Sequence, residues 1–141
     1  MSDDRFNLQR FVTAQDLVGF ENVCAELREG RKRTHWMWFV FPQIAGLGSS
    51  ARAQKFAIGS LDEAKAYLRH PILGPRLSDC TRLVNRIEGQ PVGAIFGDPD
   101  DRKFHSSMTL FAQAEPDSDT FRIALTKYFG GSPDSLTLSR L

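Results

Sequence analysis

Cysteine is scarce in this chain: 141 residues hold only Cys24 and Cys80. So wide a separation gives neither the paired spacing of a zinc site nor the density of a disulfide-stapled secreted scaffold. Net charge is equally small, +1 from 18 Lys+Arg against 17 Asp+Glu, which excludes a polycation built to coat DNA. Long apolar runs are missing too. The longest, Trp36–Phe41, falls far short of the roughly 20 residues of a membrane-spanning helix. Met1–Arg10 carries two aspartates where a signal peptide would carry basic residues and then an apolar run, so a cytoplasmic protein is expected. Repeats, low-complexity tracts and dividing linkers are absent. One domain over residues 1–141 follows, with 1–12 as an arm and 132–141 as a tail.

What the chain does have is helical periodicity. A first helix is expected over Ala14–Glu29, capped by Thr13 with Asp16 three residues on and left through Gly30. Leu17, Phe20, Cys24 and Leu27 fall at i, i+3, i+7 and i+10 and would face the core. Ala51–Ile58 reads as a helical turn. Ser60 opens the next helix through S-L-D-E, with Glu63 at the capping-box position; the helix covers Leu61–Arg69 and stops at Pro71. His70, in its last turn, would gain from the helix dipole when protonated, a structural role. Pro75 begins a third helix striped by Leu77, Cys80, Val84 and Ile87 and ended by Gly89. Asp98 as cap and Pro99 in the first turn open a fourth, to about Gln113. A fifth, Thr120–Phe129, turns Phe121, Ala124, Leu125 and Tyr128 inward and ends at Gly130-Gly131. The tail would dock through Leu136 and Leu138. The expected fold is mainly α, a single compact domain of about five helices with at most one or two very short strands.

The strand candidates are Trp36–Phe41 and Pro91–Phe96. The first is apolar on every side, so periodicity leaves strand and buried helix open. Since Val92–Phe96 is the only pairing partner available, a short helix capped by Thr34 and stopped by Pro42 is preferred.

Unusual chemistry concentrates between Gly30 and Ser50. Arg31, Lys32 and Arg33 form either a solvated loop or, through Lys32, a cation aimed at a phosphate or carboxylate. His35, three residues after Lys32, is the one candidate acid/base. Trp36 and Trp38 are either the middle of the core, each ring burying roughly 150–250 Å², or the wall of a pocket against a flat ligand. Gly46-Leu47-Gly48-Ser49-Ser50 is either an ordinary turn or a nest of backbone N–H donors for an anion, joined by the hydroxyls of Ser49 and Ser50. It matches neither a P-loop nor the dinucleotide fingerprint. Gln43 completes the candidate binding set on this stretch.

A second segment breaks a local rule. On the helix after Asp98, Lys103, Ser106, Ser107 and Leu110 share a face beside the apolar Phe104, Met108 and Phe111. Consecutive serines in mid-helix work against helix propensity. They fit either close approach of a ligand beside Lys103 or a tight helix crossing. Asp98, Asp100 and Asp101 lack the histidine or glutamate that would complete a metal site, so neither metal nor cofactor is expected. Ser49 and Ser50 are not on a nucleophile elbow.

The motifs K-x-x-H-W-M-W-F-x-F-P-Q-x-x-G-L-G-S-S (Lys32–Ser50), H-P-x-L-G-x-R-L (His70–Leu77) and F-G-x-P-D-x-x-K-x-x-S-S-M-T-L-F (Phe96–Phe111) resemble the bacterial family known as domain of unknown function 1810. Its members often carry the name calpastatin, which no feature of this chain supports. The resemblance covers nearly the whole chain and implies a mainly α-helical single domain. It brings no established reaction and no set of functional residues, but it ties the Lys32–Ser50 and Lys103–Ser107 segments into one pattern.

Two functional classes follow. One is a small-molecule site for a phosphate-bearing or nucleotide-like ligand, with Lys32 and Lys103 on the anion, Ser49, Ser50, Ser106 and Ser107 donating, Trp36 or Trp38 stacking, and His35 as acid/base. The other is a non-enzymatic module that binds a protein or RNA partner through the Arg28–Arg33 patch. Neither class involves a membrane or DNA.

Overall fold

The computed structural model describes residues 4–141; Met1–Asp3, the start of the expected arm, lie outside the described residues. Ten helices follow one another among those residues: α1 Gln9–Val18, α2 Phe20–Arg28, α3 Met37–Val40, α4 Ala51–Lys55, α5 Leu61–Arg69, α6 Leu73–Asn85, α7 Val92–Phe96, α8 Asp100–Ala114, α9 Asp119–Phe129 and α10 Ser135–Leu138. The five long elements after Gly30 and before it were foreseen in kind; the surplus comes from single turns and from one helix that is broken in two. Both strand candidates are helical, as α3 and α7. The only extended pairing among the described residues is a parallel bridge between Ile44 and Ile58.

The expected helix over Ala14–Glu29 is α1 and α2, divided at Gly19. Gly19 sits at φ 84°, and a Cβ there would come within 2.7 Å of Asn22 Nδ2, so only glycine makes this joint without strain. The break changes which residues face inward. Leu17 is 83% exposed, whereas Phe11 and Val12 are buried. Residues 9–12 are therefore the start of α1, and Phe11 and Val12 among them belong to the core. Thr13 lies inside α1. The helix is held at its start by Asp4, whose carboxylate accepts the N–H groups of Leu8 and Gln9 at 2.6 and 2.9 Å.

Other starts follow the sequence closely. Ser60 Oγ accepts the Glu63 N–H at 3.1 Å, and α5 has the expected bounds. Glu63 reaches back to Gly59 N–H at 2.9 Å rather than to the cap residue. His70 acts differently from its expected dipole role. Its Nδ1 accepts from Ile72 N–H and Leu73 N–H at 3.1 and 3.2 Å, so this nitrogen serves as an acceptor at the start of α6. Asp98 does not cap α8; its carboxylate takes the Arg102 guanidinium at 2.6 Å.

Helix α8 is the axis of the domain and packs against α5, α7, α9 and α10. Phe104, Ser107, Met108, Leu110 and Phe111 are fully buried. Aromatic rings link α8 to its surroundings: Phe104 meets Phe41 edge-on at 5.1 Å and stacks on Phe96 at 4.7 Å, and Phe111 meets Tyr67 at 5.3 Å. Such pairs add to area burial and fix α3, α5 and α7 around one rod. Cys24 and Cys80 are both buried and unbridged, as their apolar stripes imply.

Candidate functional site

The tryptophan stretch is organised by a residue outside it. Glu26, on the inner face of α2, accepts from Arg33 N–H at 2.6 Å, Thr34 N–H at 3.0 Å, Thr34 Oγ1 at 2.6 Å and the Trp36 indole N–H at 3.1 Å. Burial pushes its carboxyl up, but hydrogen bonds from the Thr34 hydroxyl, the two amides and Trp36 outweigh burial and hold it below the usual 4.5. Thr34 thus serves Glu26 and does not cap α3. Trp36 is fully buried, a core residue with its polar edge satisfied.

With the 33–36 loop fixed, Lys32 turns inward. Its Nζ lies 2.8 Å from Asp100 Oδ2 in the first turn of α8, and its backbone N–H donates to Ile95 O at 2.8 Å. Lys103 approaches the other oxygen of the same carboxylate at 3.6 Å. Two ammonium groups therefore share one carboxylate, all three side chains less than a quarter exposed. Lys103 Nζ also lies 4.8 Å from the centre of the Trp38 ring, and the Arg52 guanidinium carbon 5.2 Å from it. Trp38 is a half-buried shelf for two cations.

Beside Lys103 a cleft of about 580 Å³ opens between the Gln43–Ala53 segment and α8, within the size range of small-molecule sites. One wall is Gln43, Leu47, Gly48, Ser49 and Ser50. Ser50 Oγ accepts Ala53 N–H at 3.1 Å as the cap of α4, which leaves its own hydrogen to donate. The N–H groups of Gly48, Ser49 and Ser50 make no hydrogen bond within the described residues. The facing wall is Arg102, Lys103, His105 and Ser106 of α8.

The third side comes from the chain's last residues. Asp134 Oδ2 accepts Ser106 Oγ at 3.1 Å, Thr137 N–H at 3.1 Å and Thr137 Oγ1 at 2.6 Å, and Asp134 N–H donates to Thr109 Oγ1 at 2.9 Å. The tail docks through this network and the buried Thr137; Leu136 and Leu138, the expected anchors, are exposed, and Leu136 lines the cleft. Arg140 lies over Gly46, where a Cβ would overlap its Nη1. Ser132 O meets His105 Nε2 at 2.7 Å, and the His105 ring stacks on Phe129 at 4.0 Å and 9°.

Gln43, Ser49, Ser50, Lys103 and Ser106 thus stand around one cleft, although the Ser106 hydroxyl is already shared between Asp134 Oδ2 at 3.1 Å and Arg102 O at 3.2 Å. Lys32 reaches the cleft only through Asp100. Ser107 is fully buried with its hydroxyl unpartnered, inside the helix packing. Trp36 offers no ring to a ligand, and His35 is exposed and lines none of the cleft. On the basic patch, Arg33 pairs with Glu29 at 2.9 Å, and Arg28 and Arg31 remain exposed. His105, Arg102 and Asp134 were missed. His105 lies between Lys103 and Ser106 in sequence and was legible; Asp134 joins only by tertiary docking.

The profile of a family described as a protein of unknown function (DUF1810) matches residues 5–141. The chain is similar to the conserved hypothetical protein Rv1873 from Mycobacterium tuberculosis, known from its crystal structure, with 55% identity, 98% of each chain covered and a TM-score of 0.96. A search of curated proteins gives no match.

Proposed function

The chain belongs to this DUF1810 family, which brings no reaction with it, and we propose from the geometry that the cleft binds a phosphate-bearing small molecule. The observation that carries the reading is the shared carboxylate. Asp100 answers Lys32 at 2.8 Å and Lys103 at 3.6 Å, so Lys103 lacks an ion-pair partner of its own among the described residues. An anion placed against Lys103 supplies it. Gly48, Ser49 and Ser50 line the same cleft as Lys103, and their unbonded N–H groups and the Ser50 hydroxyl suit phosphate oxygens. Leu47, Ala53, Pro99 and Leu136 give the rest of the ligand an apolar bed. Neither tryptophan lines the cleft, so the reading rests on the phosphate and not on a stacked base.

Calorimetric titration with inorganic phosphate and pyrophosphate tests this. The wild type should bind. Lys103→Met should weaken binding about tenfold, about 1.4 kcal/mol, by removing the cation. Lys32→Met should weaken it by a similar factor from outside the cleft, because Asp100 then neutralises Lys103 alone. A wild type that binds neither anion, or variants that bind as the wild type does, would defeat the reading.

A further inference from the structure

The wall opposite the cations has the reverse chemistry. Asp134 Oδ2 is saturated by three donors, but Oδ1 receives none and is not buried. Asp134 lines the cleft, so this oxygen is an acceptor available to a ligand. His105 supplies a second. Its Nε2 faces the Ser132 carbonyl at 2.7 Å, and a carbonyl only accepts, so Nε2 carries the hydrogen. In the neutral ring Nδ1 is then an acceptor; it too has no partner among the described residues and is not buried. Stacking on Phe129 holds the ring in this orientation.

The two chemistries lie close together. Lys103 and Ser106 are three residues apart on α8, roughly 5 Å along the axis, and Asp134 hangs from Ser106. A ligand that satisfies both must present an anion at one end and hydrogen-bond donors one helical turn away. Bare phosphate meets only the first demand, and a dicarboxylate would set charge against Asp134. Building on the phosphate reading above, we infer that the cleft takes a phosphorylated polyol or sugar, with its phosphate on Lys103 and the Gly48–Ser50 loop and its hydroxyls on Asp134 Oδ1 and His105 Nδ1. Asp134 and His105 are the specificity-determining residues.

Titration of the full chain with ribose 5-phosphate and with inorganic phosphate tests this. In the wild type ribose 5-phosphate should bind roughly tenfold or more tighter than phosphate, as expected for a hydrogen bond to a charged acceptor. Asp134→Asn keeps an oxygen for Ser106 and Thr137 while turning an amide N–H₂ toward the cleft. It should abolish most of that preference without weakening phosphate itself. His105→Phe, which keeps the stack on Phe129, should reduce the preference by a smaller factor and guards against a folding defect in the first variant. Equal affinity for the two ligands in the wild type, or an undiminished preference in both variants, would overturn the sugar assignment while leaving the anion site standing. Absence of binding by either ligand would overturn both.

Discussion

Glu26 should be the polar residue on which the ordered 33–36 loop depends most. Glu26→Ala removes the acceptor of four donors. The Arg33 and Thr34 groups lie at the surface and can turn to water. The Trp36 indole N–H is fully buried and has nowhere else to go. An unsatisfied buried donor costs ~1–3 kcal/mol, and loss of the ordered loop adds to it, so about 3 kcal/mol is expected. At ~2–4 °C per kcal/mol for a chain near this size, thermal melts at pH 7 should show a drop of roughly 10 °C. Glu26→Gln keeps the shape and an acceptor oxygen and loses only the charge assistance, about 1–2 kcal/mol. The pH dependence has a defined sign. The folded-state pKa is lowered, so the charged group's contribution is complete above the ordinary carboxylate range. It is lost as pH falls through the folded value. The gap between wild type and Glu26→Gln in urea unfolding should therefore close below pH 4. A gap equally wide at pH 3 and pH 7 would refute the assignment of charge as its source.

The only two tyrosines, Tyr67 and Tyr128, are both pushed above the ordinary 10, Tyr67 by burial and Tyr128, to about 12, by burial and the Glu88 charge. Absorbance at 295 nm should show no phenolate step near pH 10 in the folded protein, and stability should fall as pH rises above 10, where only the unfolded chain ionises; a reversible step at 10 without unfolding would contradict the packing. Gly46→Ala places a side chain at φ 97° and displaces Arg140, so it should cost about 1–3 kcal/mol. Arg140→Ala should relieve the steric part in a double-mutant cycle, and strict additivity would show that the two groups do not touch.

Helix α5 was legible to the residue because its signals are local: a capping serine, an acid three positions on and a proline stop. The stripe Leu77, Cys80, Val84 and Ile87 was legible because each member is buried against the same side. The division of α1 from α2 was not, since Gly19 lies within a continuous periodic pattern and only its backbone angle marks the joint. The candidate site was half legible. Lys103, Ser49 and Ser50 stand out by residue type, and the cleft between their segments could be anticipated from the two motifs. The inward turn of Lys32 and the closure of Trp36 depend on Glu26, a charged side chain on an apolar face that sequence reads as solvent-exposed. Asp134 meets Ser106 across 28 positions, with no signal in either segment alone.

The unequal surroundings of Trp36 and Trp38 give the molecule its own optical probe. Trp36 is sealed in the core with its N–H on a carboxylate and its ring 5.4 Å from Lys32 Nζ, so it feels the cleft only indirectly, through Lys32 and Asp100. Trp38 is open to solvent on part of its surface and feels two cations at about 5 Å. An anion that draws Lys103 from the ring alters the field on Trp38 directly and on Trp36 only at second hand, through Asp100 and Lys32. Occupancy of the cleft is thus written into the intrinsic fluorescence of the protein, with no label attached.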